Sequence, residues 1–237
     1  MEFLAPLLQG RLKKRYKRFL ADVELANGDT ITAHCANPGA MLGLMEPGSR
    51  VWLSESNNPK RKLKHSWELI EVDIGNGPVL VGINTGHPNS LVAEAIQNNL
   101  ITELTGYDDL RREVKYGTNS RVDILLEAPN KPPCYVEVKN VHLMRTPGLA
   151  EFPDSVTVRG AKHMHELAKV VESGGRAVLV FLVQRNDAES LAIARDIDRN
   201  YGAAFDAARS AGVEVISYAC ALSVAQITVS DPLPLAE

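Results

Sequence analysis

The chain has 237 residues, of which 45% are hydrophobic and 23% charged, and its formal net charge is -3. This composition indicates a folded, water-soluble protein with room for one large or two small domains, and no apolar stretch approaches the roughly 18 residues of a membrane span. The acidic residue Glu2 and the break at Pro6 argue against a signal peptide at the N-terminus. Cys35, Cys134 and Cys220 lie too far apart for a disulfide framework or a zinc cluster. We therefore expect a cytoplasmic protein with reduced thiols and no membrane contact.

Positive charge is concentrated in two short runs. Residues 11–18 contain six basic residues, which are Arg11, Lys13, Lys14, Arg15, Lys17 and Arg18. The second run consists of Lys60, Arg61, Lys62 and Lys64. Such runs attract nucleic-acid phosphates without reading sequence, and Tyr16 or Phe19 could stack on a base of a melted strand. A solvated charge run ahead of an ordinary strand is the alternative.

The first 83 residues contain strand patterns separated by turn signals. The predicted strands cover residues 19–25, 30–35, 49–54, 66–74 and 79–83. The tight-turn signal Asn27-Gly28-Asp29 separates the first two. Several short strands with little helical pattern predict a β-barrel of the oligonucleotide-binding (OB) type over residues 1–83.

The pattern changes over residues 84–237, where helices alternate with strands. Helices are predicted over residues 88–104, 157–172 and 198–211, and strands over 113–116, 120–127, 134–139, 177–183 and 213–218. Residues 177–183 form a continuous apolar run, which is typical of a central strand covered on both faces. The second half is therefore a predicted mixed sheet flanked by helices, and the whole chain is of the α/β (α+β) class.

A predicted hairpin over residues 120–139 carries the strongest chemical signal. Strand side chains alternate between faces, so Glu137 and Lys139 share one face, and Asp123 in the partner strand can lie on the same surface. Two carboxylates and the Val138 carbonyl could hold Mg²⁺ (or Mn²⁺) beside a phosphodiester. Lys139 would then help to deprotonate the attacking water or stabilise charge in the transition state. The alternative is a solvated Glu-x-Lys on an exposed strand, since short motifs often match by chance.

The two flanking helices could complete this site. Glu94 on the first helix could supply a third carboxylate to the metal, or simply face solvent. On the second helix Arg159, Lys162, His163 and Glu166 recur at three- and four-residue spacing and share one stripe. Arg159 and Lys162 could clamp a phosphate, or belong to an ordinary wet helix face.

The arrangement of Asp123 and Glu137-Val138-Lys139 on a hairpin resembles the core of the PD-(D/E)xK nuclease superfamily. In addition, segments 34–41, 120–126, 135–141 and 152–160 resemble the sugar fermentation stimulation protein A (SfsA) family. The resemblance implies an OB-like barrel, a nuclease-like second domain, DNA binding without strong sequence preference, and a regulatory part in sugar use, notably of maltose. It assigns Asp123, Glu137 and Lys139 to the metal and lysine positions and Glu94 to the helical acid. Val122 replaces the proline that usually precedes the first aspartate.

These observations favour a DNA-binding protein of low sequence specificity with an Mg²⁺-dependent phosphodiesterase site. Two other hypotheses remain open. One is a DNA-binding regulator without turnover, and the other is an RNA-processing or nucleotide-directed hydrolase on the same scaffold.

Overall fold

The structure of the protein is a computed structural model that describes residues 1–75, 77–117 and 120–236. Its first half is a barrel of strands β1 (Leu8–Tyr16), β2 (Leu20–Leu25), β3 (Thr30–Cys35), β4 (Arg50–Glu55), β5 (His65–Asp73) and β6 (Pro78–Gly82). The sheet order is β3-β2-β1-β4-β5-β6, and a further parallel pairing of β3 with β5 closes it. Leu12, Trp67 and Ile70 are among the residues that fill the interior. The predicted OB-like barrel is confirmed.

The barrel differs from the prediction in one strand. The basic run is itself part of β1, which pairs with β2 on one side and β4 on the other. Gly10 and Leu12 point into the protein while the charged residues between and after them face outward. An added Cβ at Gly10 would lie 2.4 Å from Val23 Cγ1, so the close approach of β2 requires glycine there.

The second half contains a mixed sheet with a helical layer on each face. Its strands are β7 (Asp109–Tyr116), β8 (Ser120–Ala128), β9 (Lys131–Val141), β12 (Arg176–Val183), β14 (Glu214–Leu222) and β15 (Ile227–Pro232), in the order β15-β14-β12-β9-β8-β7. Strands β9, β12 and β14 are parallel, and the outer strands are antiparallel to their neighbours. The predicted mixed sheet is confirmed.

Three α-helices cover this sheet in the part of the chain that the structure describes. Helix α1 (Pro88–Gln97) packs on one face against Val136 and Val138. On the other face α2 (Val158–Glu172) and α3 (Arg199–Ser210) enclose a core that includes Phe181 and Phe205. Because helices lie on both faces, β12 is buried along nearly its whole length, as its apolar run predicted.

Short elements account for the remaining differences. The predicted first helix ends at Gln97 and is followed by a separate 3-10 helix (Thr102–Leu104). The connection after β9 contains β10 (Leu143–Thr146) and β11 (Leu149–Phe152), which form a small sheet with β13 (Ser190–Ile193). Strands of four residues offer too few alternations for the pattern of polarity to predict them.

The N-terminal residues cross to the second half. Phe3 N donates to Ala225 O at 2.9 Å, and Glu2 forms an isolated bridge with Gln226. The three cysteines are free and buried. Among the described residues, none of the helices combines the length and the apolar character needed to cross a membrane.

Candidate active site

The hairpin of β8 and β9 brings Asp123 and Glu137 together. Its antiparallel register pairs Ile124 with Val136, so the next pair along the strands is Asp123 and Glu137. Regular pairing stops there, because Asp123 Oδ2 accepts a hydrogen bond from Val138 N at 2.8 Å. Asp123 Oδ1 accepts from Asn89 Nδ2 of α1, also at 2.8 Å. The aspartate is therefore fixed at the point where the two strands diverge.

Glu137 is almost fully buried, with 2% of its surface exposed. Its Oε1 accepts hydrogen bonds from Lys139 Nζ, at 2.7 Å, and from His163 Nδ1 of α2. Its Oε2 is buried and has no hydrogen-bond partner. Buried polar atoms in native proteins nearly always have a partner, so an unsatisfied carboxylate oxygen marks a place for a missing ligand.

His163 orients Glu137, and the tautomer of its ring follows from its neighbours. Arg159 Nε donates to His163 Nε2 at 3.3 Å, so this nitrogen acts as an acceptor. The ring proton of the neutral imidazole therefore lies on Nδ1, which donates to Glu137 Oε1. The histidine thus binds Oε1 of Glu137 and leaves Oε2 without a hydrogen bond.

The two carboxylates differ in their electrostatic environment. Burial raises the pKa of Asp123 to about 6, and the negative charge of Glu137 contributes to the rise. Burial would also raise the pKa of Glu137, but the hydrogen bond from His163 and the positive charge of Lys139 outweigh it and lower that pKa. Metal-free protein therefore holds Glu137 as a carboxylate next to an aspartate that resists ionisation.

The residues present fit a hard divalent cation. Asp123 and Glu137 offer carboxylate oxygens, one of them unsatisfied, and the Val138 carbonyl belongs to the same strand end. Over the described residues, no group of three or more His, Cys, Asp or Glu side chains converges into a closed metal cage. One or two carboxylates, with water and substrate phosphate completing the shell, is the usual arrangement for Mg²⁺.

These side chains lie in a cleft of about 490 Å³ that both halves of the chain line. The barrel contributes Arg18 and the loop of residues 37–39, while the sheet and α2 contribute Asp123, Glu137, Lys139 and Arg159. Asp154 joins the two sides, because its Oδ2 accepts from Met41 N at 2.9 Å and from His142 Nε2 at 3.2 Å. The barrel is thereby held against the candidate catalytic residues.

Gly39 allows the barrel loop to approach Asp154 closely. An added Cβ at this position would lie 2.5 Å from Asp154 Oδ2. Burial would raise the pKa of Asp154, but hydrogen bonds from His142 and Met41 hold it down at about 2. The junction therefore contains a carboxylate that stays ionised across the physiological pH range.

The structure does not bring Glu94 to this cleft. Its carboxylate pairs with the amino group of Met1 at 2.9 Å, and its side chain is 49% exposed. Asn89 is the α1 residue that contacts Asp123, and five residues of helix rotate the side-chain direction by about 140°. The prediction that Glu94 supplies a third carboxylate is thus corrected. The α1 side chain at the site is the amide of Asn89, which donates a hydrogen bond to Asp123.

The basic run of β1 divides into residues with different partners. Arg15 is bound within the fold, since its guanidinium donates to Asn37 O at 2.9 Å and Gly39 O at 3.0 Å. Lys13 pairs with Glu24, Lys14 pairs with Asp22 at 3.4 Å, and Arg11 donates to Gly48 O at 2.8 Å. Arg15 therefore has a structural role in holding the 37–39 loop, and its contact with DNA stays a prediction.

We expect Arg15→Ala to lower the free energy of unfolding by about 1–3 kcal/mol, because the loss leaves partly buried carbonyls of the 37–39 loop unsatisfied. Lys17→Ala, at an exposed turn position of the same run, is the matched control and should change stability by less than about 0.5 kcal/mol. Urea denaturation of both variants measures the difference. Equal effects would contradict the structural role of Arg15.

The remaining predicted phosphate contacts fall in two places. Arg159 lines the cleft, whereas Lys162 lies on α2 beside Glu166, with Nζ at 3.5 Å from Oε1. Lys60, Arg61 and Lys62 lie between β4 and β5, and Arg61 donates to Ser66 Oγ at 2.9 Å. None of these three is among the residues that line the cleft.

Sequence reasoning missed three contributors to the site. His163 entered the prediction only as a member of a polar stripe, and Asn89 and Asp154 were given no role in the predicted site. For His163 a signal was present, since it lies one helical turn after Arg159. For Asp154 the signal was its place in segment 152–160, which carries the family resemblance together with the hairpin segments, whereas for Asn89 the sequence offers no pattern that would connect it to the hairpin.

Two family models match the chain. One, described as the SfsA N-terminal OB domain, covers residues 14–83. The other, described as the sugar fermentation stimulation protein RE domain, covers residues 86–226.

Full-length relatives and a solved structure agree with these matches. A sugar fermentation stimulation protein homolog from Azorhizobium caulinodans is 57% identical, over 99% of this chain and 99% of its own. A homolog from Maricaulis maris is 56% identical, over 98% of this chain and 97% of its own. A solved structure, described as Pyrococcus furiosus SfsA in complex with Ca²⁺, superposes with a TM-score of 0.88 at 26% identity, covering 100% of this chain and 98% of that one.

Proposed function

Because this chain belongs to the sugar fermentation stimulation protein family, we propose that it binds DNA with little sequence specificity and hydrolyses phosphodiesters with a divalent cation. The observation that carries the proposal is the pair of the half-buried Asp123 and the buried Glu137, with Lys139 beside it, in a cleft that also contains Arg18 and Arg159. Two neighbouring carboxylates can bind a divalent metal ion, while the lysine and the two arginines can bind the phosphate beside it.

Each residue has a defined task in this proposal. Asp123, Glu137 and the Val138 carbonyl hold Mg²⁺ or Mn²⁺, and His163 keeps one oxygen of Glu137 in place. When bound, the cation would polarise a phosphate oxygen and lower the pKa of the water that it binds. Lys139 presents a positive charge to the scissile phosphate, where it stabilises the charge that develops in the transition state.

The comparison with the Pyrococcus furiosus protein supports a divalent cation on this fold. That protein is described as a complex with Ca²⁺ and covers the whole of this chain at a TM-score of 0.88. Ca²⁺ and Mg²⁺ both prefer oxygen ligands, although Mg²⁺ requires the smaller, near-octahedral shell. We therefore expect Ca²⁺ to bind at the same carboxylates in this chain and to compete with Mg²⁺.

A cleavage assay tests the proposal. Purified protein is incubated with Mg²⁺ or Mn²⁺ and with supercoiled, linear, single-stranded or branched DNA, and an EDTA sample is the control. We expect metal-dependent cleavage of at least one substrate. Binding without cleavage of any of them would reject hydrolysis and leave a DNA-binding regulator of the kind that the family name associates with sugar use. Preferential competition by RNA would favour the RNA-directed alternative.

The DNA-contacting charges are proposed to include the β1–β2 turn. Lys17 and Arg18 are exposed there, and Arg18 lines the cleft. We expect Lys17→Glu/Arg18→Glu to weaken DNA binding and to reduce the slope of log affinity against log salt by about one to two. Fluorescence anisotropy over a salt series measures both quantities.

Lys60→Glu/Lys62→Glu is the matched control, because it makes the same charge change on the loop between β4 and β5. A smaller effect is expected from this loop, since its lysines do not line the cleft. If both double variants change the slope equally, the DNA contacts the loop between β4 and β5 as well as the turn. If only the control variant changes it, the turn is not the contact.

The division of labour between residues 1–83 and 84–237 is also a proposal. The matched family regions end at residue 83 and begin at residue 86, which supports a boundary at this point. The barrel would hold the DNA backbone and the second half would carry the metal. Residues 1–7 belong to the first region by sequence but contact the second half, because Phe3 N donates a hydrogen bond to Ala225 O.

A further inference from the structure

One exposed apolar side chain lines the cleft, and two others are sequence neighbours of cleft-lining residues. Val156 is 68% exposed and lines the cleft, and Val158, at the first position of α2, is 83% exposed. Phe19, next to the cleft-lining residue Arg18, is 45% exposed. We refer to Phe19, Val156 and Val158 as the apolar rim.

Hydrogen bonds of Thr157 fix the backbone between the two valines. Thr157 N donates to Asp198 Oδ2 at 2.7 Å, and Thr157 Oγ1 accepts from Gly160 N at 3.0 Å to cap α2. Asp198 is itself buried and caps α3 through Tyr201 N at 2.9 Å. Fixed, exposed, β-branched side chains lose little conformational entropy when they become covered, which suits a binding contact.

The partner that would cover the rim must combine two kinds of chemistry. Arg18 and Arg159 bring positive charge to the cleft and attract phosphate, whereas the charge of Lys139 is paired with that of Glu137. The rim offers apolar contact directly beside those charges. Nucleic acid supplies both. An intact duplex buries its base faces by stacking and offers an apolar side chain only thymine methyl groups and sugars, whereas an unstacked base offers a whole apolar face.

We propose that Val156 and Val158 pack against unstacked bases at the cleft, with Phe19 contributing from the barrel side. The substrate class is therefore DNA with an unpaired or distorted segment, in preference to uninterrupted duplex. This inference rests on the proposed function, since it assumes that the cleft receives DNA. It adds that the protein distinguishes DNA with an unpaired segment from uninterrupted duplex.

The test compares two DNAs of equal length in the absence of divalent metal, one fully paired and one with a central unpaired bubble. We expect the wild-type protein to bind the bubble about tenfold more tightly, and Val156→Ser/Val158→Ser to lose most of this preference while retaining duplex affinity. A 2-aminopurine placed at the bubble edge should change its fluorescence on binding wild type and much less on binding the variant. Such a change reports base contact, which a merely unstable variant would not mimic at unchanged duplex affinity.

Leu4→Ser/Val224→Ser is the matched control. Leu4 is 107% and Val224 46% exposed, and both line a different surface depression beside Trp52. This variant removes comparable apolar surface away from the cleft and should keep the bubble preference. A rim variant that keeps the preference would overturn the inference, and so would a control that loses it equally.

The outcomes also separate this inference from the proposed function. Salt-dependent binding of both DNAs with equal affinity would reject the apolar rim and leave the DNA-binding proposal standing. Failure of the wild-type protein to bind either DNA would reject both.

Discussion

Replacing Lys139 with methionine is expected to slow metal-dependent DNA cleavage by about 10²- to 10³-fold, the usual cost of removing one group that stabilises developing charge. Methionine keeps most of the side-chain volume, so the packing around a lysine that is only 12% exposed should survive. Loss of the ammonium also removes one hydrogen-bond partner of Glu137, but His163 still holds the same oxygen.

Single-turnover cleavage at saturating protein separates this effect from binding. Lys115→Met, an exposed lysine on β7 of the same sheet, is the matched control and should leave the rate unchanged. Anisotropy should show that Lys139→Met still binds DNA. A rate for Lys139→Met close to that of wild type would show that the cleaving site lies elsewhere.

Asp123→Asn is expected to have two effects, weaker binding of divalent cations by at least about tenfold and a smaller fall in the stability of the metal-free protein as pH rises. The second follows from the pKa of Asp123, which burial and the charge of Glu137 raise from 3.8 to about 6. Between these values the unfolded chain releases a proton that the folded protein keeps, so stability falls as pH rises. The loss continues as pH rises through about 6 and is complete roughly one pH unit higher, and an asparagine avoids it because its amide is never charged.

Melting temperatures in EDTA over pH 4 to 8, followed by additions of Ca²⁺ or Mg²⁺ at pH 8, measure both effects. The melting temperature of wild type should fall as pH rises from about 4 through the raised pKa of Asp123, and added metal should restore it. Both the fall with pH and the rise with metal should be smaller for Asp123→Asn. Asp108→Asn, an exposed aspartate ahead of β7, is the matched control. If metal raises the melting temperature of Asp123→Asn as much as that of wild type, Asp123 is not a ligand.

The hairpin part of the site could be predicted because it follows from local geometry. The two-residue period of a strand puts Glu137 and Lys139 on one face whatever surrounds them. The turn of the hairpin then decides the register, and the observed pairing of Ile124 with Val136 places Asp123 opposite Glu137.

Contributions from the helices could not be predicted in the same way. The rotation of α1 about its axis depends on how its apolar face packs against Val136 and Val138, and that packing directs Asn89 rather than Glu94 to the site. His163 reaches Glu137 only because α2 returns across the sheet after a connection that contains two short strands.

The basic run shows a different limit of sequence reasoning. Its charge was evident, but charge alone does not distinguish a side chain that binds phosphate from one that binds the fold. Arg15 is bound to two backbone carbonyls of a distant loop, while Arg18, three residues later, lines the cleft. The turn at Lys17 and Arg18 changes the direction of the chain between them, with φ angles of 49° and 63°.

The central claim, that Asp123 and Glu137 hold a divalent cation, is tested most directly by anomalous diffraction from crystals soaked in Mn²⁺. We predict a peak with carboxylate oxygens of both residues at about 2.2 Å, including the Glu137 oxygen that has no hydrogen-bond partner in the metal-free protein. A crystal of Asp123→Asn soaked in the same way should lack this peak. Mn²⁺ bound elsewhere in the cleft, or a peak that survives in Asp123→Asn, would contradict the claim.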